Sequence, residues 1–150
     1  MKLGFIGTGN ITVAVVNGIC GSKIIFKEIL VSPRNKSNAL KLSKKFKKVS
    51  IAKTNQEIVD KCNWVFLAVT PKIGEEIIPK LKFRSNQKII SFISTIKLAQ
   101  LKKFINKKVK IIRAIPLPPI SIGKGPVPIC PPDKQTKDFF DTIGTTIEIK

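Results

Sequence analysis

Residues 2–12 read Lys-Leu-Gly-Phe-Ile-Gly-Thr-Gly-Asn-Ile-Thr, and this stretch is the strongest indication of the fold. Its apolar first half predicts a β-strand that ends at glycines, and residues 10–20 place apolar side chains on one face of a helix. In this strand–turn–helix setting, Gly7 permits a tight turn and Gly9 lets the backbone approach a pyrophosphate beside the first N–H groups of the helix. The pattern is typical of a dinucleotide site, although Thr12 stands where glycine or alanine is usual. The alternative is a glycine-rich turn that only joins two packed elements.

The rest of the chain alternates short apolar runs with amphipathic segments. Such alternation predicts one α/β domain over residues 1–150, a Rossmann-like doubly wound fold with a mostly parallel sheet and helices on both faces. Asn55 is the expected N-cap of the third helix. Four prolines between residues 116 and 126 predict an irregular loop. The predicted strands cover residues 2–6, 28–31, 49–52, 64–69, 88–93, 109–115, 127–130 and 145–149, and the predicted helices cover 10–20, 36–48, 56–61, 73–81, 98–105 and 133–143.

The composition is strongly basic, with 28 Lys and Arg against 9 Asp and Glu in 150 residues, a net charge of +19. The chain has no His and no Tyr, which excludes Ser-His-Asp and Cys-His catalysis, His-based metal sites and a tyrosine general acid. Only Arg34, Arg84 and Arg113 are arginines, and lysines are interspersed with apolar residues throughout. We therefore interpret the charge as solvated faces and expect no specific nucleic-acid partner, although weak binding at low salt is compatible with it.

The three cysteines, Cys20, Cys62 and Cys130, are far apart and form no Cys-x-x-Cys pair. This spacing favours small, buried hydrophobic side chains in a reducing cytoplasm over a disulfide framework. No apolar segment reaches the ~18 residues of a membrane span, so we expect a cytoplasmic protein without a membrane partner.

The end of the second predicted strand bears on the choice of cofactor. An NAD site has Asp or Glu about 20 residues after the glycines, to bind the ribose hydroxyls. This chain instead reads Val-Ser-Pro-Arg-Asn-Lys over residues 31–36. Ser32 can donate to a 2′-phosphate, and Arg34 and Lys36 can neutralise it, which favours NADP (NADPH) over NAD. The alternative is an ordinary polar turn before a lysine-rich helix.

Several segments together resemble pyrroline-5-carboxylate reductase, in register from about residue 1 to residue 150. The resemblance implies an oxidoreductase that uses NAD(P)H to reduce a cyclic imine carboxylate to proline, in proline biosynthesis. Hydride transfer to an imine needs positioning above all, so the lack of His and Tyr does not exclude it. No catalytic residue is assigned. The segments that carry the resemblance are residues 5–10, 31–34, 52–55, 65–71, 81–84, 98–101 and 123–125.

The resemblance also implies the residues that would bind the cofactor. The glycine-rich segment would hold the pyrophosphate, the segment after the second strand and Asn55 would face the adenosine end, and residues 68–71 would border the ribose and nicotinamide. Thr70 stands where the family usually has Lys, which removes one contact. The full set of expected cofactor-binding residues is Ile6, Gly7, Thr8, Gly9, Asn10, Ile11, Ser32, Arg34, Lys36, Asn55, Ala68, Val69, Thr70 and Pro71.

Three departures from the family bear on activity. Leu117 and Pro118 replace an Asn and a Thr that would offer polar groups near the nicotinamide. Residues 93–95 read Ile-Ser-Thr where the family has a small Ala-Ala-Gly stretch, and this bulk is expected to crowd the nicotinamide. The family's C-terminal helical domain, which forms the dimer and completes the imine pocket, is expected to be absent, because this chain stops at Lys150.

Three functions therefore stay open. The first is an NADPH-dependent imine reductase, or the cofactor-binding part of one. The second is a nucleotide-binding module without catalysis, either degenerate or working with a separately encoded helical partner. The third is a related deazaflavin-dependent NADP reductase. For each of them, a homo-oligomer or a helical partner is the expected assembly. NADPH oxidation with pyrroline-5-carboxylate separates the first from the second.

Overall fold

The computed structural model describes residues 1–105 and 108–150. Within them, eight strands form one sheet in the order β3-β2-β1-β4-β5-β6-β7-β8. All neighbouring strands are parallel except β6 and β7, so the sheet is mostly parallel, as the alternating pattern predicts. The strands are β1 (Lys2–Ile6), β2 (Glu28–Val31), β3 (Val49–Ile51), β4 (Trp64–Leu67), β5 (Lys88–Ser91), β6 (Lys110–Ala114), β7 (Pro126–Cys130) and β8 (Thr145–Glu148).

Helices cover both faces of this sheet, which makes the fold a doubly wound α/β domain of the Rossmann type. One apolar core lies under α1, α2 and α6, and a second lies under α3 and α5 on the opposite face. The central strands are buried on both faces, which is why they read as continuous apolar runs. The helices are α1 (Asn10–Cys20), α2 (Lys36–Lys45), α3 (Asn55–Lys61), α4 (Pro71–Ile77), α5 (Leu98–Ile105) and α6 (Lys134–Asp141), with 3-10 helices at Ile78–Lys80 and Pro118–Ile122.

Some predicted boundaries were wrong, each for a local physical reason. The helix predicted to reach residue 48 ends at Lys45, because Phe46 adopts extended backbone angles (φ −126°, ψ 123°) while its N–H still bonds to Leu42. The N-cap of α3 is Thr54 rather than Asn55: the Thr54 hydroxyl accepts from the Glu57 N–H at 3.1 Å. The proline-rich loop is partly regular, since it contains the second 3-10 helix.

The strand order places a topological switch point at the centre of the sheet. The connection after β1 leads to β2 on one side, whereas β4 pairs with β1 on the other side. In open α/β sheets, ligands bind in the crevice that this reversal opens beyond the carboxyl ends of the strands. The glycine-rich segment that follows β1 lies at this crevice.

Candidate functional site

A cleft of about 570 Å³ lies beyond the carboxyl ends of β1, β2 and β4. Its volume falls within the range of small-molecule sites. None of its lining residues is acidic, and two are cationic. The lining residues are Gly7, Thr8, Gly9, Ser32, Arg34, Asn35, Lys36, Asn55, Ala68, Val69, Thr70, Ile73 and Ile77.

Gly7 begins the turn between β1 and α1, and only glycine fits there. Its φ is +102°, a conformation that residues with a side chain rarely adopt. A Cβ at this position would also lie 2.6 Å from the carbonyl carbon of Ala68 and 2.9 Å from Cγ1 of Val69. The glycine therefore lets the turn pack directly against the segment after β4.

Gly9 is the N-cap of α1 and, unlike Gly7, borders open space. Its φ of −83° suits any residue, and a Cβ built on it meets no atom within 4 Å. The space beside Gly9 is open cleft, next to the first N–H groups of α1, which have no partner within the helix. A free helix N-terminus beside open space is suited to a phosphate group.

Hydrogen bonds fix the conformation of the glycine loop, which we define as residues 7–10. The Gly7 N–H donates to Oγ of Ser32 at 2.8 Å, and Oγ1 of Thr8 donates to the Ser32 carbonyl at 2.7 Å. Oγ1 of Thr12 donates to the Gly7 carbonyl at 2.6 Å. Thr12 is fully buried, so this residue serves the third motif position by packing closely while it holds the loop.

Ser32 lines the cleft but is almost fully buried, with 2% of its surface exposed. Its hydroxyl accepts from Gly7 and lies 2.9 Å from the Thr8 hydroxyl. Since both sides of this hydroxyl are occupied within the protein, it supports the loop. The expectation that Ser32 also donates to a 2′-phosphate stays a prediction.

Arg34 and Lys36 lie at the end of the cleft nearest β2, and both are exposed. Neither forms an ion pair with any residue in the described ranges. Two cations without a protein counter-charge, at a cleft without acidic residues, provide the chemistry that a phosphate monoester needs.

The other predicted site residues divide between two cavities. Asn55, Ala68, Val69 and Thr70 line the cleft as expected. Asn10 and Ile11 instead line a second cavity of about 390 Å³ at the start of α1. Two predicted residues line neither: the Ile6 side chain is fully buried in the core, and Pro71 is the exposed first residue of α4.

Sequence reasoning missed three residues of the cleft. Asn35 lies between the two cations, and Ile73 and Ile77 lie one turn apart on α4. The i, i+4 spacing of the two isoleucines was the available signal, because it places both on one helix face.

The second cavity has apolar walls, with Asn10 its only polar lining residue. Pro118 lines it, whereas Leu117 does not and is 44% exposed. Ile93 is buried in the core and does not line this cavity. The expectation that residues 93–95 crowd the nicotinamide stays a prediction. The remaining lining residues are Ile11, Phe92, Ile115 and Pro116.

Residues 1–105 and 108–150 contain no group of three His, Cys, Asp or Glu side chains placed to hold a metal ion. Cys62 is buried, and burial raises the pKa of its thiol to about 12, so it is a small hydrophobic side chain as expected. Cys20 and Cys130 are only partly buried, which differs from that expectation. Over the same ranges, no helix is both long and apolar enough to cross a bilayer.

The chain is similar in sequence to known oxidoreductases. The model of the family described as "NADP oxidoreductase coenzyme F420-dependent" matches residues 2–96. Pyrroline-5-carboxylate reductase 3 of Danio rerio is 30% identical over 128 residues, which are 83% of this chain and 44% of the relative. Pyrroline-5-carboxylate reductase of Escherichia coli is 27% identical over 133 residues, 87% of this chain and 49% of the relative. The chain thus spans about half the length of these relatives.

Solved structures of two pyrroline-5-carboxylate reductases have the same fold as this chain. The crystal structure of Plasmodium falciparum pyrroline carboxylate reductase with NADP bound has a TM-score of 0.86 and 26% identity, and the match covers 100% of this chain and 58% of that one. A pyrroline-5-carboxylate reductase from Streptococcus pyogenes has a TM-score of 0.84 at 22% identity, over 100% of this chain and 58% of that one.

Proposed function

We propose that this chain, which belongs to the family described as "NADP oxidoreductase coenzyme F420-dependent", is the NADPH-binding part of a pyrroline-5-carboxylate reductase. In this role it takes part in the reduction of a cyclic imine carboxylate to proline. One observation carries the proposal: the glycine loop and the two free cations, Arg34 and Lys36, border a single cleft at the switch point of the sheet. The relatives support the choice of reaction, because those compared above carry that name.

The residues present suit each part of NADPH. The open space beside Gly9 and the N-terminus of α1 suit the pyrophosphate. Arg34 and Lys36 suit the 2′-phosphate, which NADH lacks, so NADPH is the preferred cofactor. Asn55 would border the adenosine side, and Ala68, Val69 and Thr70 would border the ribose and nicotinamide. Ser32 acts by supporting the loop.

The chemistry asks little of this chain beyond positioning. When bound, NADPH supplies the hydride, and a protonated imine is already an electrophile, so no His or Tyr acid is required. The apolar second cavity is lined by Asn10 and Ile11, which directly follow the cleft-lining residues Gly7, Thr8 and Gly9 along the chain. Its walls, Phe92, Ile115 and Pro118 among them, shield the reacting groups from water.

The substrate's carboxylate needs a cation, and no described residue that lines this second cavity carries a positive charge. We assign that task to a helical domain of the kind that the resemblance to pyrroline-5-carboxylate reductase implies, and we propose that the chain acts in a homo-oligomer or with a helical partner. The activity therefore belongs to the completed assembly. We place it in the cytoplasm, where the three free thiols of the described chain are compatible with a reducing environment.

A second candidate is electron exchange between NADP and a deazaflavin, which the matched family's description favours. The apolar walls of the second cavity suit a flat aromatic ring as well as an imine. A third outcome is a module that binds NADPH without turnover.

Direct titration and a turnover assay separate these functions. NADPH and NADH are titrated into the protein by calorimetry, and NADPH oxidation is then followed with pyrroline-5-carboxylate or an oxidised deazaflavin, using excess protein. We expect NADPH to bind this chain more tightly than NADH, and we expect the assembly completed by the helical domain to oxidise NADPH with the imine and not with the deazaflavin. Oxidation only by the deazaflavin would move the assignment to the second candidate. Absence of NADPH binding would reject the cofactor site itself.

A further inference from the structure

We propose that Thr8, Ser32 and Asn38 form a clamp that positions the two phosphate subsites relative to each other and thereby sets the preference for NADPH. This inference rests on the proposed function, because it concerns how the same cleft selects its cofactor. Asn38 is not among the site residues expected from the sequence, and it does not line the cleft. It lies in the lysine-rich helix α2.

The clamp joins segments that are distant in sequence. Ser32 and Thr8 are linked by two hydrogen bonds, and the Ser32 hydroxyl also holds the Gly7 N–H. Nδ2 of Asn38 donates to the Thr8 carbonyl at 2.9 Å, across 30 residues of chain. Thr8 of the glycine loop is therefore held by Ser32 at one end of segment 32–38 and by Asn38 at the other end.

That segment also carries the two cations. Arg34 lies between Ser32 and Asn38, and Lys36 is the first residue of α2, two positions before Asn38. The Asn38 N–H also donates to Oδ1 of Asn35 at 3.2 Å, which fixes the first turn of α2. Movement of Arg34 relative to the glycine loop is thus restrained on both sides.

The clamp also orients the peptide groups of the loop. The carbonyl of Thr8 is occupied by Asn38, that of Gly7 by Thr12, and that of Gly9 by the Val13 N–H at 3.1 Å. Carbonyl oxygens that are bonded within the protein do not face an incoming anion, so the N–H groups are left to meet it. This arrangement is preorganised for a pyrophosphate.

Loss of the Asn38 amide is expected to affect NADPH more than NADH. A neutral hydrogen bond contributes about 0.5–1.5 kcal/mol, equal to about 2–12-fold in affinity. In Asn38→Ala we expect NADPH affinity to fall about 5–10-fold, because the cations are no longer held at the correct distance from the pyrophosphate. NADH has no 2′-phosphate, so its affinity falls about twofold or less.

A double-mutant cycle tests the coupling directly. Dissociation constants for NADPH and NADH are measured for the unaltered chain, Arg34→Ala, Asn38→Ala and the double variant. Contacts that depend on each other give non-additive effects. For NADPH, we expect the loss caused by Arg34→Ala to be at least about threefold smaller in the Asn38→Ala background.

Two further variants separate positioning from folding. Ser43→Ala removes a hydroxyl of the same helix that bonds only to Leu40, and it should change neither affinity. Thr8→Val removes the buried hydroxyl and should lower the NADPH-to-NADH preference, whereas Thr8→Ser keeps the hydroxyl and should restore it. Thermal melting of each variant shows how much of any loss is due to unfolding.

The outcomes distinguish the clamp from the function on which it rests. If the unaltered chain binds no NADPH, or does not prefer it to NADH, both proposals are rejected. If it prefers NADPH but Asn38→Ala weakens the two cofactors equally, or the cycle is additive, only the clamp is rejected. A preference that falls in Asn38→Ala and Thr8→Val and returns in Thr8→Ser supports the clamp.

Discussion

Cationic side chains lie both where β5 and β6 begin and at the cleft where β1 and β2 end, but within the described residues only the first group is paired with a carboxylate. At the amino edge, where β5 and β6 begin, Nζ of Lys88 lies 2.5 Å and Nζ of Lys110 lies 2.8 Å from the carboxylate of Asp133. The Thr136 hydroxyl and N–H donate to the same carboxylate. Lys88 also lies over the Trp64 ring, 4.6 Å from its centre. This amino-edge cluster is internally satisfied.

The carboxyl edge is built differently. Arg34 and Lys36 are exposed at the cleft, and no described residue pairs with either. Charge pairing therefore separates the cations that stabilise the fold from the cations that can bind a ligand. A cation paired within the fold contributes to stability, whereas a cation that borders a cleft without a counter-charge is available to a ligand.

The largest expected effect is on the amino-edge cluster. Asp133→Ala leaves Lys88, whose side chain is 7% exposed, buried without a counter-charge. Such a loss costs about 3–5 kcal/mol of the free energy of unfolding. Urea denaturation measures it. Asp138→Ala, which removes an exposed pair with Lys134, is the matched control and should change stability by about 0.5 kcal/mol or less. Equal effects of the two variants would contradict the distinction between the edges.

At the carboxyl edge, Gly9→Val should remove binding without removing the fold. The new side chain would occupy the open space expected for the pyrophosphate, so affinity for NADPH and NADH should both fall about 100-fold or more, or about 2.7 kcal/mol. The fold should lose only about 1 kcal/mol, from a poorer N-cap. Calorimetric titration and urea denaturation measure the two effects.

Gly7→Ala is the contrasting variant within the same loop. Its Cβ would overlap the Ala68 carbonyl and require a positive φ, so its main effect should be on the free energy of unfolding. A Gly9→Val protein that folds and binds NADPH normally would reject the pyrophosphate assignment.

Acid should weaken the amino edge in a predictable range. Burial alone would raise the pKa of the Asp133 carboxyl, but hydrogen bonds from Lys110, Lys88 and Thr136 outweigh it and hold the pKa well below its usual range. The pKa is therefore lower in the folded than in the unfolded chain, and the stability that this difference contributes is present above about pH 4 and lost as the pH falls below it.

Urea denaturation between pH 7 and pH 2.5 tests this dependence. The midpoint should decrease below about pH 4, and Asp133→Asn, which cannot ionise, should show a shallower decrease from a lower starting stability. Parallel curves for the two proteins would show that Asp133 does not contribute to acid sensitivity.

The smallest expected effect is that of salt on the carboxyl edge. Arg34 and Lys36 are exposed, so raising ionic strength from about 0.1 M to about 1 M shortens the screening length from about 10 Å to about 3 Å. NADPH affinity should fall several-fold more than NADH affinity, while the urea midpoint is little affected. Titrations at the two salt concentrations measure this difference. Equal salt dependence for both cofactors would argue against a role for the two cations in recognising the 2′-phosphate.

Much of the fold was predictable because the central strands are buried on both faces and therefore read as apolar runs. Strand and helix ends were less predictable, since they depend on contacts such as the packing of Phe46 against the core. The antiparallel direction of β7 also depends on tertiary structure, because no local signal in residues 126–130 encodes it.

The site was predictable where the backbone itself is informative. The positive φ of Gly7 and the open space at Gly9 are the two properties that a Gly-x-Gly pattern implies. The support role of Ser32 and the contribution of Asn38 were not predictable, because each depends on a hydrogen bond between residues 24 to 30 positions apart. Thr12, a departure in sequence, bonds to the loop it borders.

The Arg34→Glu variant tests whether the free cations at the carboxyl edge recognise a 2′-phosphate. The measured quantity is the ratio of the NADH to the NADPH dissociation constant, determined by titration for the unaltered chain and for the variant. We predict that the unaltered chain prefers NADPH and that the variant loses this preference, because a carboxylate in place of the guanidinium repels the 2′-phosphate and leaves NADH binding nearly unchanged. An equal loss of affinity for both cofactors, with the ratio unchanged, would contradict the account.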